Sequence, residues 1–142
     1  MTKRELAKEN FSKGMNCAQA VALAFKDELG LPEEVIKKFI IGFGGGFGRQ
    51  RLTCGAVSGM VAVLGMLKSD GQDKLAIYSI VQKACADFIA EFGTLSCAEL
   101  LSGITSDKSP VPEERTKEYY KKRPCSEICE IAAEIAEKYI KQ

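Results

Sequence analysis

Apolar residues recur along this chain at helical spacing, and nowhere in the strict alternation of a half-buried strand. Leu6, Ala7 and Phe11 give residues 4–13 one inward face, and Gly14 interrupts that helix. Asn16 is a suitable cap for a second helix reaching about residue 29, lined by Cys17, Val21, Ala24 and Phe25. Gly30 ends it, and Pro32 followed by Glu33 and Glu34 starts a short helix toward Ile41. Leu52 or Thr53 opens an apolar helix running to Leu67. After a turn at Ser69 to Gly71, residues 73–92 form a long helix with Ile77 or Tyr78, Val81, Cys85, Phe88 and Phe92 along its buried stripe. Ser96 caps a brief helix containing Cys97 and Leu100, and residues 102–111 read as a surface loop. A further helix is expected over 112–123. Pro124 then starts a last one, with Cys125, Ile128, Ala132, Ile135 and Tyr139 facing inward. The pattern predicts an all-α fold: one compact multi-helix bundle over residues 1–142 with a glycine-rich interhelical loop.

That loop, residues 42–51, reads GFGGGFGRQR. Its glycine density opposes helix formation, since each glycine costs a helix roughly 1 kcal/mol relative to alanine. Gly44, Gly45 and Gly46 let backbone come close to a cofactor or adopt positive φ, and Arg49 adds positive charge, so these four are the candidate cofactor-binding residues. The segment matches neither a dinucleotide fingerprint nor a phosphate loop. A structural turn beside Cys54 is the competing reading and the favoured one, with Phe43 and Phe47 fixing the loop to the core. Gly55, Gly59 and Ala62 then make a small-residue face that lets another helix approach closely.

Composition narrows the chemistry. Twenty basic and nineteen acidic residues leave a net charge of +1, which gives no general electrostatic case for binding nucleic acid or a membrane. Residues 52–67 are uncharged but short for a membrane span and interrupted by glycine, so a buried core helix is expected instead. Residues 1–10 are charged with no apolar stretch after them, so no signal peptide is expected and the cytoplasm is the expected location. The chain contains no histidine, which removes His-based proton shuttles, Ser-His-Asp and Cys-His nucleophiles, and His-ligated metal or haem.

The cysteines remain. Cys17, Cys54, Cys97 and Cys125 each follow a plausible helix cap or helix-starting proline. The unpaired N–H groups and positive dipole end of a first helical turn favour thiolate over thiol, which suits both nucleophilic sulfur and metal ligation. Burial as small apolar side chains explains any one of them alone. Cys85, in mid-helix, reads as inert core. Cys129 lies one turn beyond Cys125 and is a secondary candidate as a resolving thiol or extra ligand.

With the segment Cys54-Gly55-Ala56-Val57-Ser58-Gly59 beside the spaced cysteines, the chain resembles the C_GCAxxG_C_C family, whose members are named as redox-active proteins. The first cysteine of that signature matches Cys17 in GMNCAQA. The central segment begins at Cys54, and the later two correspond to Cys97 in FGTLSCAEL and to Cys125. The resemblance spans nearly the whole chain and leaves Cys85 and Cys129 outside the signature. It implies a function carried by those four cysteines and a partner drawn from a redox or transporter system.

Three functional readings follow. The leading one is thiol-based redox chemistry, or a thiolate-bound metal or iron–sulfur cluster held by Cys17, Cys54, Cys97 and Cys125. The second is a non-enzymatic helical assembly or binding protein with structural cysteines, forming a homodimer through apolar surface around Ile131, Ile135 and Tyr139. The third is an acid–base hydrolase built on Glu33-Glu34 or Glu113-Glu114, pairs that helix-start placement explains better. The spatial expectation is that the four signature cysteines share one cavity and that Cys85 lies elsewhere.

Overall fold

A computed structural model describes residues 1–142, and it is all-α apart from one isolated antiparallel bridge between Thr53 and Ser96. Helix α1 (Lys3–Ser12) is capped by Thr2, whose hydroxyl accepts from the Glu5 N–H. Helix α2 (Cys17–Leu23) begins with a reciprocal capping box between Asn16 and Gln19. It ends six residues before the expected point. The Ala24 and Phe25 N–H groups bond to carbonyls three residues back, tightening the last turn, and Phe25 is buried there. A separate short helix, α3 (Lys26–Leu29), follows and closes on Gly30 at φ 65°. Helix α4 (Glu33–Ile40) runs into a 3-10 turn at Ile41–Phe43 and then a single turn, α5 (Gly44–Phe47).

The core is built from α1, α2, α6 (Gly55–Lys68) and α10 (Cys125–Ile140), which pack on one another. The small-residue face of α6 makes this approach close. A Cβ at Gly59 would stand 2.8 Å from the Ala18 carbonyl oxygen, and one at Gly55 would be 2.9 Å from that of Phe43. On α10 the predicted stripe is buried in full, together with Cys129, Ala133 and Ala136. Ile135 and Tyr139 are therefore spent inside the chain and offer no dimer surface, and Ile131 is half-buried. The Tyr139 hydroxyl donates to Asp87 at 2.6 Å, tying α10 to α7 (Lys74–Phe92).

Helix α7 is more peripheral than its pattern suggests. Only Ala84 and Phe88 are fully buried, Tyr78 is exposed, and Ile77, Val81, Cys85 and Phe92 are half-buried, because α7 packs chiefly against α6 and α10. Ser96 caps the one-turn α8 (Cys97–Leu100) as expected. The helix expected over 112–123 is only α9 (Lys117–Lys122), capped by Thr116. The preceding residues are drawn into long-range contacts instead: Glu113 pairs with Arg123, and Arg115 donates to the Phe11 and Met15 carbonyls. No helix is long and apolar enough to cross a membrane.

Candidate functional site

Four chain segments converge at one end of the core, and each carries a signature cysteine. The Asn16 cap that starts α2 also donates from its amide to the Ile41 carbonyl at 3.0 Å, which places Cys17 beside the glycine segment. Any side chain at Gly44 would run into that amide. Cys54 is the N-cap of α6, one residue earlier than a first-turn position, and makes no side-chain cap hydrogen bond of ordinary geometry. Its N–H donates to the Leu95 carbonyl at 2.8 Å, and the Cys97 N–H donates to the Leu52 carbonyl at 2.7 Å. These bonds flank the Thr53–Ser96 bridge and hold Cys54 and Cys97 in register. Cys125 follows Pro124 at the start of α10.

The glycine loop supports the bridge through unusual backbone. Gly45, Gly46, Phe47, Gly48, Arg49 and Arg51 all have positive φ, between 62° and 72°. For the three non-glycine residues among them this geometry is costly, of order 1 kcal/mol or more each. It brings the Arg51 and Leu52 N–H groups onto the Gly45 and Gly46 carbonyls at 3.1 Å. Gly46 has no room for a side chain: a Cβ would lie 2.5 Å from the Leu52 nitrogen and 2.9 Å from the Cys97 Cβ.

Cys17, Cys54, Cys97 and Cys125 line a single cavity of about 500 Å³. Gly44, Gly45 and Arg49 line it as well, whereas Gly46 serves packing behind Cys97. Cys85 is not among the lining residues and sits half-buried on α7. The Cys17 thiol interacts with those of both Cys125 and Cys129, and Cys129, fully buried, also points its sulfur at the Cys17 carbonyl at 3.8 Å.

Arginines form much of the remaining wall: Arg49, Arg51, Arg115 and Arg123. Two carboxylates answer these four guanidiniums. Glu113 lies 2.5 Å from Arg123 and 3.8 Å from Arg49, and Asp107 lies 3.6 Å from Arg49. Otherwise the arginines bond to neutral groups, mostly backbone carbonyls. Arg49 reaches those of Ser109 and Val111, Arg51 Nε reaches that of Asp107 at 3.0 Å, and Arg115 reaches across to α1 and Met15. The segment from Asp107 to Arg115 is thereby strapped along the cavity wall. Arg115 also lies over the Phe11 and Tyr119 rings, 4.4 and 4.8 Å from their centroids. Arg51 is 5 % exposed, and its Nη2 is buried without a hydrogen-bond partner.

Placement at helix starts does not lower the thiol pKa values here; burial overrides it. Burial pushes Cys54 up to about 12 although the Ala56 and Val57 N–H groups oppose it. Burial also raises Cys97, against the pull of the Arg51 guanidinium 3.8 Å from its sulfur. Cys125 is raised first by its hydrogen bond with Cys17 and then by burial. The same bond acts to lower Cys17, but Cys129 and burial outweigh it and leave Cys17 well above the ordinary value. All four are thiols near neutral pH. No three Cys, Asp or Glu side chains are arranged as a metal-ligand set, so the thiolate donors expected for a metal or cluster share a cavity without converging on a point.

Sequence reasoning missed Arg115, Arg123 and Tyr119 as parts of this wall. The one available signal was the proximity of Arg123 to Cys125. Arg115 and the strap offered none, because their role depends on contacts with residues about one hundred positions away.

The model of the C_GCAxxG_C_C family, described as "Putative redox-active protein (C_GCAxxG_C_C)", matches residues 15–139. The chain belongs to that family. No curated protein and no solved structure matches it at a significant level.

Proposed function

We propose that this member of the C_GCAxxG_C_C family is a thiol–disulfide exchange protein whose working dithiol is Cys17 and Cys125. The observation that carries the reading is that Cys17 and Cys125, at two helix starts, line one cavity that Cys54 and Cys97 also line, where each thiol influences the pKa of the other. With a disulfide as oxidant, one of the pair loses its proton and attacks an oxidant sulfur. The oxidant S–S bond breaks, a mixed disulfide forms and one thiol leaves, taking up a proton. The other cysteine then attacks the mixed disulfide, closing the Cys17–Cys125 bond and releasing the second thiol. Two electrons pass from the protein dithiol to the oxidant, and the reverse sequence reduces the protein. Cys129, also in contact with Cys17, is the reserve resolver. A dithiol that is repeatedly reduced suits a reducing compartment such as the expected cytoplasm.

Raised thiol pKa values keep the thiolate fraction small near neutrality, so exchange accelerates as pH rises. The test is oxidation of reduced protein with bis(2-hydroxyethyl) disulfide, followed by peptide mapping. A Cys17–Cys125 cross-link is expected, and Cys17→Ser should abolish it. Six thiols that still titrate after prolonged oxidant exposure would overturn the reading. So would stoichiometric iron or zinc in anaerobically purified protein, which would restore the thiolate-metal account.

A further inference from the structure

We infer that the arginine wall selects the substrate of this cavity, and that its reaction partner is a small disulfide or thiol bearing carboxylate or similar anionic groups. The inference rests on the exchange reading above and adds to it the chemical class of the partner. A cavity of about 500 Å³ holds a molecule of a few tens of heavy atoms, not a folded protein. Four guanidiniums face two carboxylates, and most of their hydrogen bonds go to carbonyl oxygens, which leave the charge uncompensated. Burying such charge is costly unless a counter-charge arrives. Arg51 shows the deficit most directly. Its side chain is almost wholly buried, its Nη1 is beside the Cys97 sulfur, and its Nη2 has no partner.

The wall also lies where the chemistry would need it. Arg49, Arg51, Arg115 and Arg123 line the same cavity as Cys17 and Cys125, so a substrate whose sulfur meets that pair carries its own substituents along the guanidinium wall. A planar guanidinium binds a carboxylate through paired N–H donors, giving orientation as well as attraction. Exchange with an anionic disulfide balances as before: a protein S–S bond replaces that of the substrate, and two anionic thiols leave.

The experiment compares three symmetrical disulfides as oxidants of the reduced protein: dithiodipropionate (a dianion), bis(2-hydroxyethyl) disulfide (neutral) and cystamine (a dication). At low ionic strength the dianion should react about tenfold or more faster than the dication, with the neutral compound between them. Raising the salt should compress that range. Arg51→Gln should move the anion-to-neutral rate ratio toward one. The salt series on the unaltered protein stands even if that variant folds poorly. Equal rates for all three at low salt, or a faster dication, would overturn the arginine selection while leaving the exchange reading intact. Failure of every disulfide to form the Cys17–Cys125 bond would overturn the exchange reading itself.

Discussion

Cys17 and Cys54 stand at helix starts and face the same cavity, but they are held there by different means. Cys17 belongs to a group with Cys125 and Cys129 whose positions follow from packing of the short α2 against the long α10. Cys54 is paired with Cys97 through backbone hydrogen bonds to a loop held at positive φ. The first group can readjust by small helix movements and rotamer changes, as closing a disulfide requires. The second is set by backbone that has few alternatives. On the proposed exchange reading, the covalent step falls to the first group and a framing role to the second. It also shows that an N-terminal helix position does not by itself make a reactive thiolate, because desolvation outweighs the dipole when the helix start is buried.

The largest effect that can break this comparison is expected at Gly46. Gly46→Ala combines φ 72° with a Cβ 2.5 Å from the Leu52 nitrogen, so it should displace the bridge carrying Cys54 and Cys97. A loss of about 3 kcal/mol or more in urea unfolding is expected. Gly14→Ala also places alanine at positive φ, 97°, but in open space, and should cost only about 1 kcal/mol. Equal losses in the two variants would mean that the glycine loop is not the rigid frame described here.

A smaller effect separates the two groups chemically. Arg51 lowers the pKa of Cys97 and is not among the main influences on Cys17 or Cys125. Arg51→Gln should therefore slow iodoacetamide labelling of Cys97 about three- to tenfold at pH 8, while labelling of Cys17 keeps its rate. Parallel slowing at both residues would show that the arginine acts by opening or closing the whole cavity.

Much of this end of the molecule could be read from local patterns. Asn16 and Ser96 cap helices as their residue types indicate, and the α10 stripe is buried residue for residue. Such features need only neighbours within a few positions. The break after Leu23, the irregular residues before Thr116 and the outward faces of α7 were hidden because distant packing partners decide them. The cysteine quartet was legible through its recurrence at helix starts and its match to the family signature. Of the arginine wall, Arg49 was legible beside the glycines, but Arg115 and Arg123 were not: a lone arginine in a mixed-charge sequence looks like a solvated side chain until the fold places it over Phe11 or Tyr119. The thiol pKa direction was misread for the same reason, since burial depth is a property of the assembled cavity.

The finest distinction concerns alkaline pH. An unfolded thiol titrates near pH 8.5, whereas Cys54 in the folded chain is pushed up to about 12 by burial. Between those values the folded state holds a proton that the unfolded state has released. Its contribution to stability is thus fully present below about pH 8.5 and is lost progressively as pH rises toward 12, by at most about 1.4 kcal/mol per pH unit. Cys17, Cys125 and Cys129 are raised as well and act in the same direction. Cys54→Ser removes one of these protons while leaving a hydroxyl well suited to cap α6. Urea midpoints measured from pH 8 to pH 11 should fall for both proteins, and less steeply for Cys54→Ser. Cys85→Ser, at a half-buried position on α7, should change that slope less. Identical slopes for the unaltered protein and Cys54→Ser would show that Cys54 meets solvent in the folded state and does not belong to the buried frame.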